Sequence, residues 1–204
     1  MTWLYWRKTR HSEKNGTIVC RRLFGRWEVF VGDIHMSSHY LRSVWREVYA
    51  SLPREFAPQR ILMLGLAAGD NVSLLAERFP KASVTAVEWD PEMVRIADEL
   101  RLFPTKHRPA VITGDAREVI KTLPAKQFDL VIVDIFNSKG VSPSAYAKGF
   151  FADIANLLSA DGYVAVNAYQ EALLLDTASA DLTEFRRWKK DYNRVGIYRQ
   201  KALV

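Results

Sequence analysis

The stretch RILMLGLAAGDNVSLL, residues 60–75, decides the fold. It begins as an apolar run, passes Gly65 and Gly69, and continues with apolar residues at helical spacing. A strand, a glycine turn and a helix in this order are typical of proteins that bind a nucleotide. The loop lacks the second and third glycines of the dinucleotide pattern, and Asp70 would repel a pyrophosphate at the helix start. We therefore expect a ligand without phosphate at the loop, such as a cationic or zwitterionic nucleoside carrying a sulfonium.

Strands and helices alternate from this stretch onward. The predicted strands are ILMLG, SVTAVEW, AVIT, FDLVIVDIF, GYVAVNAY and NRVGIYRQKAL. The predicted helices are DNVSLLAERF, PEMVRIADELRL, AREVIKTL, PSAYAKGFFADIANLLS and DLTEFRRWKKD. Near-continuous apolar strands that alternate with amphipathic helices predict an α/β fold with a Rossmann-like, doubly wound, mostly parallel sheet.

The part of the chain before this sheet has a different pattern. Residues 17–31, TIVCRRLFGRWEVFV, predict a small β-hairpin. Residues 37–52 carry apolar side chains at helical spacing, after serines that can cap a helix, and Pro53 follows. We therefore divide the chain into an N-terminal hairpin and helix appendage, residues 1–52, and a Rossmann-like nucleoside-binding catalytic domain, residues 53–204.

The composition is that of a soluble globular protein. Hydrophobic residues make up 49% and charged residues 25% of the 204 positions. No apolar run approaches the ~20 residues of a membrane helix, and the N-terminal stretch lacks the order of a signal peptide. The single cysteine, Cys20, fits a reducing compartment. We expect a cytoplasmic protein that does not associate with membranes.

The net charge of +6 is concentrated near the two ends of the chain. The two clusters are Arg7, Lys8, Arg10, Lys14, Arg21, Arg22 and Arg26, and Arg186, Arg187, Lys189, Lys190, Arg194, Arg199 and Lys201. Basic patches can bind nucleic acid. Because no nucleic-acid-binding motif accompanies them, we interpret both clusters as solvated faces and keep nucleic acid as an alternative partner.

Polar residues stand at the carboxyl ends of the predicted strands, where open α/β sheets bind their ligands. Gly65, Glu88, Asp115 and Asp134 end four strands in a row. Glu88 lies about 20 residues after the glycine loop and can accept hydrogen bonds from ribose hydroxyls. Asp115 can accept from an adenine amino group, cap the helix that follows it, or do both.

Several segments in order resemble a known family. They are ILMLGLAAGDNVSLLAERFPKASVTAVEWDPEMVRIADEL, GDAREVI, FDLVIVDIFN and FFADIANLLSADGYVAVN, and upstream RLFGRWEVFVGDIHMSSHYLRSVWREVYASL. They are similar to the class I S-adenosylmethionine-dependent methyltransferase fold and, within it, to the spermidine synthase-like (polyamine aminopropyltransferase) family. The resemblance runs from residue 17 to about residue 170. It implies S-adenosylmethionine or decarboxylated S-adenosylmethionine as the co-substrate, an amine as the acceptor, and a homodimer.

The resemblance also assigns roles to single positions. Glu88 would bind the ribose, and Trp89 would pack on the adenine or ribose face. Asp115 and the backbone of Ala116 would hold the adenine. Asp134 would be the catalytic carboxylate, since an amine of pKa near ~10 arrives protonated and a carboxylate can orient it and take its proton. The remaining candidates are the loop residues Gly65, Gly69 and Asp70 for the co-substrate and Tyr40, Phe136 and Asn137 for the acceptor.

Three positions depart from the family pattern. Ala68 stands where the family has a carboxylate for the aminopropyl amine, Met36 stands near a family glutamine, and Asn137 replaces a second acid. These departures leave two alternatives to aminopropyl transfer: a methyltransferase of unknown acceptor, and a non-catalytic nucleoside-binding or scaffold protein. His35 and His39 are spaced i,i+4, but no third ligand accompanies them, so we expect no metal site.

Aromatic residues near the N-terminus predict the surface of the homodimer. They are Trp3, Tyr5, Trp6 and Trp27. Clustered exposed aromatic side chains are typical of contacts between subunits.

Overall fold

A computed structural model describes residues 5–23 and 25–201. The chain folds into a mostly parallel seven-stranded sheet with helices, preceded by an antiparallel sheet of four strands. The predicted α/β class and doubly wound sheet are therefore confirmed.

The N-terminal sheet is larger than the predicted hairpin. It consists of β1 (Tyr5–Ser12), β2 (Gly16–Leu23), β3 (Arg26–Val31) and β4 (Ile34–Ser37), paired in chain order. The predicted hairpin corresponds to β2 and β3, and it is wrong as a description of the whole unit. The strand β1 escaped prediction because its residues are nearly all polar, which suits a strand with exposed side chains but gives no apolar alternation. Of the aromatic residues assigned to a dimer contact, Trp3 and the side chain of Tyr5 lie outside the described residues.

The first helix, α1 (His39–Ser51), forms as predicted. The Ser38 hydroxyl accepts a hydrogen bond from the Leu41 N–H and caps its start. Its buried face, which includes Trp45 and Val48, packs in one apolar cluster with the central strand that begins at Arg60. The division of the chain after residue 52 stays a prediction.

The central sheet has the order β12-β13-β11-β8-β5-β6-β7. Its strands are β5 (Arg60–Leu64), β6 (Ser83–Glu88), β7 (Ala110–Thr113), β8 (Phe128–Val133), β11 (Leu158–Asn167), β12 (Leu182–Lys190) and β13 (Asn193–Gln200). Two short strands, β9 (Phe136–Asn137) and β10 (Gly140–Val141), pair separately. The strands β7, β6, β5, β8 and β11 run parallel. The strand β13 is antiparallel to its two neighbours, β11 and the edge strand β12.

Helices follow the parallel strands. They are α2 (Asp70–Arg78), α3 (Pro91–Glu99), α4 (Ala116–Val119), α5 (Phe150–Leu157) and α6 (Ala172–Asp181). Short 3-10 turns cover Thr105–His107, Ile120–Thr122 and Pro143–Tyr146. No helix within the described ranges is both long and apolar enough to cross a membrane.

The segment DLTEFRRWKKD was predicted as a helix, and this prediction is wrong. It forms the outer strand β12, which pairs along its length with β13. An edge strand exposes much of both faces to solvent, so its side chains are charged and show no alternation. The predicted helix from Pro143 is also shorter than expected, because a 3-10 turn comes first and α5 begins only after Gly149.

Candidate active site

A cavity of about 390 Å³ opens at the carboxyl ends of the parallel strands. This volume lies in the range of small-molecule sites. The strand-end residues that line it are Gly65, Glu88, Gly114, Asp115, Asp134 and Asn167. The N-terminal sheet contributes Asn15 and Met36, and α1 contributes Tyr40. The predicted edge of the sheet is therefore where the structure has its cavity.

Glu88 ends β6 and holds the glycine loop in place. Its Oε2 accepts hydrogen bonds from the N–H groups of Leu66 (3.0 Å) and Ala67 (2.9 Å), and its Oε1 accepts from the Asp90 N–H (2.9 Å). Burial raises the pKa of Glu88, while the three backbone donors lower it. A carboxylate offers about four acceptor positions, so one remains for a ligand.

The glycine loop passes close to the end of β8. Gly65 has φ +89°, and a Cβ at this position would lie 2.1 Å from the Asp134 carbonyl oxygen. Gly69 has φ +83°, and a Cβ there would lie 2.5 Å from the Phe103 ring. Only glycine fits at either position, because both the backbone angle and the space exclude a side chain.

Gly69 and Asp70, predicted at the co-substrate, are not among the residues that line the cavity. The Asp70 carboxylate accepts a hydrogen bond from the Ser37 hydroxyl, and it lies 3.6 Å from the Arg42 guanidinium. Burial raises the pKa of Asp70, and these partners oppose the shift. Asp70 therefore joins α2 to the N-terminal sheet and to α1.

Ala68 is fully buried in the apolar cluster between the N-terminal sheet and α3. Its neighbours in that cluster include Ile18, Val29 and Met93. Its methyl group is not part of the cavity lining. The backbone of this loop turns position 68 toward the N-terminal sheet.

Asp115 lies at the cavity and caps α4. Its Oδ1 accepts from the Arg117 N–H at 2.8 Å, and its Oδ2 accepts from the Ser144 hydroxyl at 2.8 Å. Ala116, the next residue, also lines the cavity. The predicted capping role is present, and the carboxylate keeps acceptor positions toward the cavity.

Trp89 and Asn15 lie near the outer end of β6. Trp89 lines the cavity and is 37% exposed, and the Lys14 ammonium lies 5.0 Å from its ring centroid. The buried Asp90 carboxylate accepts from the Ser12 hydroxyl (2.6 Å) and the Asn15 Nδ2 (2.7 Å). Asn15 Oδ1 has no hydrogen-bond partner among the described residues. No sequence pattern points to Asn15, since an asparagine in a turn is ordinary.

Asp134 follows β8 and receives two side-chain donors. Its Oδ2 accepts from Trp45 Nε1 at 3.0 Å, and its Oδ1 accepts from Asn167 Nδ2 at 2.9 Å. Burial raises the pKa of Asp134 to about 6, and the two donors oppose that shift. A carboxyl with this pKa is ionised at neutral pH and can take up a proton during a reaction.

A chain of amides continues from Asp134. Asn167 Oδ1 accepts from the Tyr169 N–H at 3.1 Å and from Asn193 Nδ2 at 2.6 Å. Asn193 is fully buried, lines the cavity, and its Oδ1 has no partner among the described residues. Sequence reasoning missed Asn193 and the hydrogen bond from Trp45 to Asp134.

The three predicted acceptor residues lie in different surroundings. Tyr40 lines the cavity, and its hydroxyl donates to the Lys190 carbonyl oxygen at 2.9 Å. Phe136 also lines the cavity, with its ring 6.2 Å from that of Tyr169, centroid to centroid. Asn137 is not in the lining, and its Oδ1 accepts from the Lys139 N–H at 2.8 Å.

Histidine, cysteine and carboxylate side chains do not gather into a metal site. Within residues 5–23 and 25–201, no three of them are placed to hold an ion. His35 instead packs edge-on against Phe30, with ring centroids 4.5 Å apart.

Comparisons with known proteins agree with this geometry. The methyltransferase domain family matches residues 61–162. A polyamine aminopropyltransferase from Vibrio vulnificus is 34% identical over 125 residues, which cover 60% of this chain and 42% of that protein. The chain thus spans less than half the length of this curated relative.

Two solved structures show the same fold with different coverage. A spermidine synthase in complex with the transition-state analogue AdoDATO has a TM-score of 0.75 and 12% identity, over 96% of this chain and 73% of that one. Human methyltransferase-like protein 13 in complex with SAH has a TM-score of 0.62 and 21% identity, over 81% of this chain and 83% of that one. Because the spermidine synthase match covers 96% of this chain, it includes residues of the N-terminal sheet.

Proposed function

This chain belongs to the methyltransferase domain family, and from that premise we propose that it is a spermidine synthase-like transferase. It binds decarboxylated S-adenosylmethionine at the sheet edge and transfers the aminopropyl group to an amine. The observation that carries the proposal is a cavity that Glu88, Asp115 and Asp134 line together at the ends of three strands. Glu88 accepts from the glycine loop, Asp115 caps α4, and burial raises the pKa of Asp134.

The nucleoside occupies the end of the cavity near β6 and β7. The free acceptor position of Glu88 receives a ribose hydroxyl, and Asp115 receives the adenine amino group. Trp89 offers a ring face to the base, and the unpartnered Asn15 Oδ1 offers one more acceptor. The backbone of Ala116 meets a ring nitrogen of the adenine. The AdoDATO and SAH complexes of proteins with this fold support an adenosyl ligand here.

The transfer takes place beside Asp134. The lone pair of the acceptor nitrogen attacks the carbon next to the sulfonium, the C–S bond breaks, and sulfur keeps its electron pair. The products are a neutral thioether nucleoside and an alkylated amine. The acceptor ammonium must lose one proton before its lone pair is free to attack. Asp134 takes this proton, and the cavity walls hold the reacting atoms in line.

The N-terminal sheet favours aminopropyl transfer over methyl transfer. The spermidine synthase match includes this sheet, whereas the match to the human methyltransferase covers only 81% of the chain. The curated relative at 34% identity is also a polyamine aminopropyltransferase. These two observations support a donor with an aminopropyl group.

Methyl transfer from S-adenosylmethionine is the second candidate. The observation in its favour is Ala68, a buried methyl group where the resemblance leads one to expect a carboxylate for the aminopropyl ammonium. S-adenosylmethionine carries a carboxylate beside the ammonium of its own tail, so this donor does not need a protein carboxylate at position 68.

The experiment that decides between them identifies the transferred group. The purified protein is incubated with either donor and with putrescine, cadaverine or n-butylamine, and mass spectrometry determines what the acceptor has gained. We expect an aminopropyl product, and Asp134→Asn serves as the inactive control. A methylated product supports the second candidate. Binding of both donors without any product supports a non-catalytic protein and contradicts the proposal.

We also propose that the chain is a cytoplasmic homodimer. Trp6 is 55% exposed and Leu23 is 38% exposed on neighbouring strands of the N-terminal sheet, which supports a contact between two copies. Sedimentation of the wild type and of Trp6→Ser tests this proposal. We expect a dimer that the substitution weakens, and a wild-type monomer contradicts it.

A further inference from the structure

Asn193 is a buried side chain at the cavity with an unused acceptor. It begins β13, is fully buried, and lines the cavity. Its Nδ2 donates to Asn167 Oδ1 at 2.6 Å, and its Oδ1 has no hydrogen-bond partner in the described part of the chain. Buried amide oxygens are nearly always paired, so this oxygen calls for a donor from outside the protein.

The orientation of the Asn193 amide is fixed by its neighbours. The backbone N–H of Tyr169 can only donate, so the atom of Asn167 that faces it is Oδ1. The Nδ2 of Asn167 therefore faces Asp134, where it donates at 2.9 Å. Since Asn167 Oδ1 is an acceptor, the atom of Asn193 that meets it is Nδ2. If the Asn193 amide were rotated, its Oδ1 would face the Oδ1 of Asn167, and two acceptors would oppose each other. The Oδ1 of Asn193 is therefore the atom without a partner.

The other buried polar groups at this end of the cavity are already engaged. Both oxygens of Asp134 accept side-chain donors, from Trp45 and Asn167. The Tyr40 hydroxyl donates to the Lys190 carbonyl and accepts from the Tyr192 N–H. Asn193 Oδ1 thus differs from its described neighbours in having no partner at all.

We infer that Asn193 Oδ1 accepts a hydrogen bond from the acceptor amine and makes the site specific for primary amines. The inference rests on the proposed function. A primary amine that attacks carbon keeps two N–H bonds and one lone pair. With one N–H directed to Asp134 and the other to Asn193, the lone pair points toward the sulfonium carbon. The acceptor arrives as an ammonium with three N–H bonds, whereas its N,N-dimethylated analogue has only one N–H bond and cannot satisfy both acceptors.

The experiment measures amine binding after the nucleoside site is filled. Calorimetry at neutral pH first determines binding of methylthioadenosine, and then of n-butylamine and N,N-dimethylbutylamine to the saturated protein. We expect the wild type to bind n-butylamine about tenfold more tightly than its methylated analogue, the size of one hydrogen bond to a charged group. In Asn193→Leu this preference falls to about one, while methylthioadenosine binding stays within about threefold.

Two further variants separate specificity from folding. Asn193→Gln keeps both an N–H for Asn167 and an acceptor oxygen, and it is expected to keep a preference for n-butylamine. Asn156→Leu, on the exposed side of α5, removes an amide far from the cavity lining and is expected to behave as the wild type. Equal affinity of the wild type for the two amines overturns the inference, whether or not Asn193→Leu folds, and assigns the oxygen to a water molecule. A preference that survives in a folded Asn193→Leu also overturns it. If methylthioadenosine itself fails to bind, the proposed function falls first, and the inference with it.

Discussion

The two ends of the cavity are built in different ways. At the nucleoside end, the donors to Glu88 and Asp115 are backbone N–H groups of the loops and helix starts around them, except for the Ser144 hydroxyl, which also donates to Asp115. At the acceptor end, Asp134 accepts from Trp45 and Asn167, side chains that lie 89 and 33 residues away in the chain. Backbone donors are positioned by the fold itself, whereas side-chain donors depend on packing between distant elements. We therefore expect the first end to hold a constant ligand and the second to change its acceptor by single substitutions.

The largest expected effect separates the two ends by function. Asp134→Asn removes the group that takes the proton, so turnover falls at least about 100-fold. Methylthioadenosine affinity stays within about threefold, because Asp134 lies at the acceptor end. Turnover and calorimetry on the same preparation measure both effects. The control is the exposed Asp161→Asn.

If Asp134→Asn weakened nucleoside binding as strongly as turnover, the two ends would not be separate. Unchanged turnover would remove Asp134 from the reaction altogether.

The next effect concerns the nucleoside end. Glu88→Gln places an NH₂ group against the loop amides or the ribose, and we expect the affinity for methylthioadenosine to fall about tenfold or more. The loop also loses part of its support, which lowers the free energy of unfolding by about 1–3 kcal/mol. Calorimetry and urea unfolding measure the two effects. Glu118→Gln, an exposed glutamate on α4, should change neither, and full affinity in Glu88→Gln would refute the assignment.

A change of pH should affect activity and stability in opposite directions at Asp134. Its pKa of about 6 lies above the ordinary value, so the folded state binds this proton more tightly than the unfolded state. As the pH falls through about 6, turnover should fall about tenfold per unit, because the proton acceptor is lost. As the pH falls from about 6 toward the ordinary value of the pKa, the cost of the buried charge disappears and the free energy of unfolding rises. In Asp134→Asn both trends should be absent, and a pH profile of turnover shared by that variant would contradict the account.

The smallest effect compares two neighbouring alanines of the loop. Ala67 has φ +47°, a left-handed angle, so Ala67→Gly should stabilise the protein by about 0.5 kcal/mol. Ala68 is fully buried in an apolar cluster, so Ala68→Gly should destabilise it by about 1.5 kcal/mol. Urea unfolding of the two variants side by side tests the opposite signs. If both substitutions changed the free energy of unfolding in the same direction, the described conformation of the loop would be contradicted.

The same contrast explains what the sequence could predict. Glu88 and Asp115 were identified because each ends an apolar strand and precedes a helix, a local pattern that appears in the sequence. The sequence does not reveal Asn193 or the contact of Trp45 with Asp134, because β13 and α1 reach the site only through the sheet order and helix packing. Asp70 has a local position that suggests the ligand, but its side chain is turned toward Ser37 by the geometry of the loop.

The peripheral elements show the same limit. The apolar strands β5 and β8 were predicted from their composition, since both of their faces are covered. The strands β1 and β12 were not predicted, because their charged and exposed residues show no alternation of apolar and polar side chains.

The most direct test of the central claim is a crystal structure with bound methylthioadenosine. The account predicts electron density for the nucleoside in the cavity at the sheet edge. The ribose should contact Glu88, the adenine should contact Asp115, and the thioether should point toward Asp134. A nucleoside bound elsewhere, or in the reversed direction, would contradict the claim.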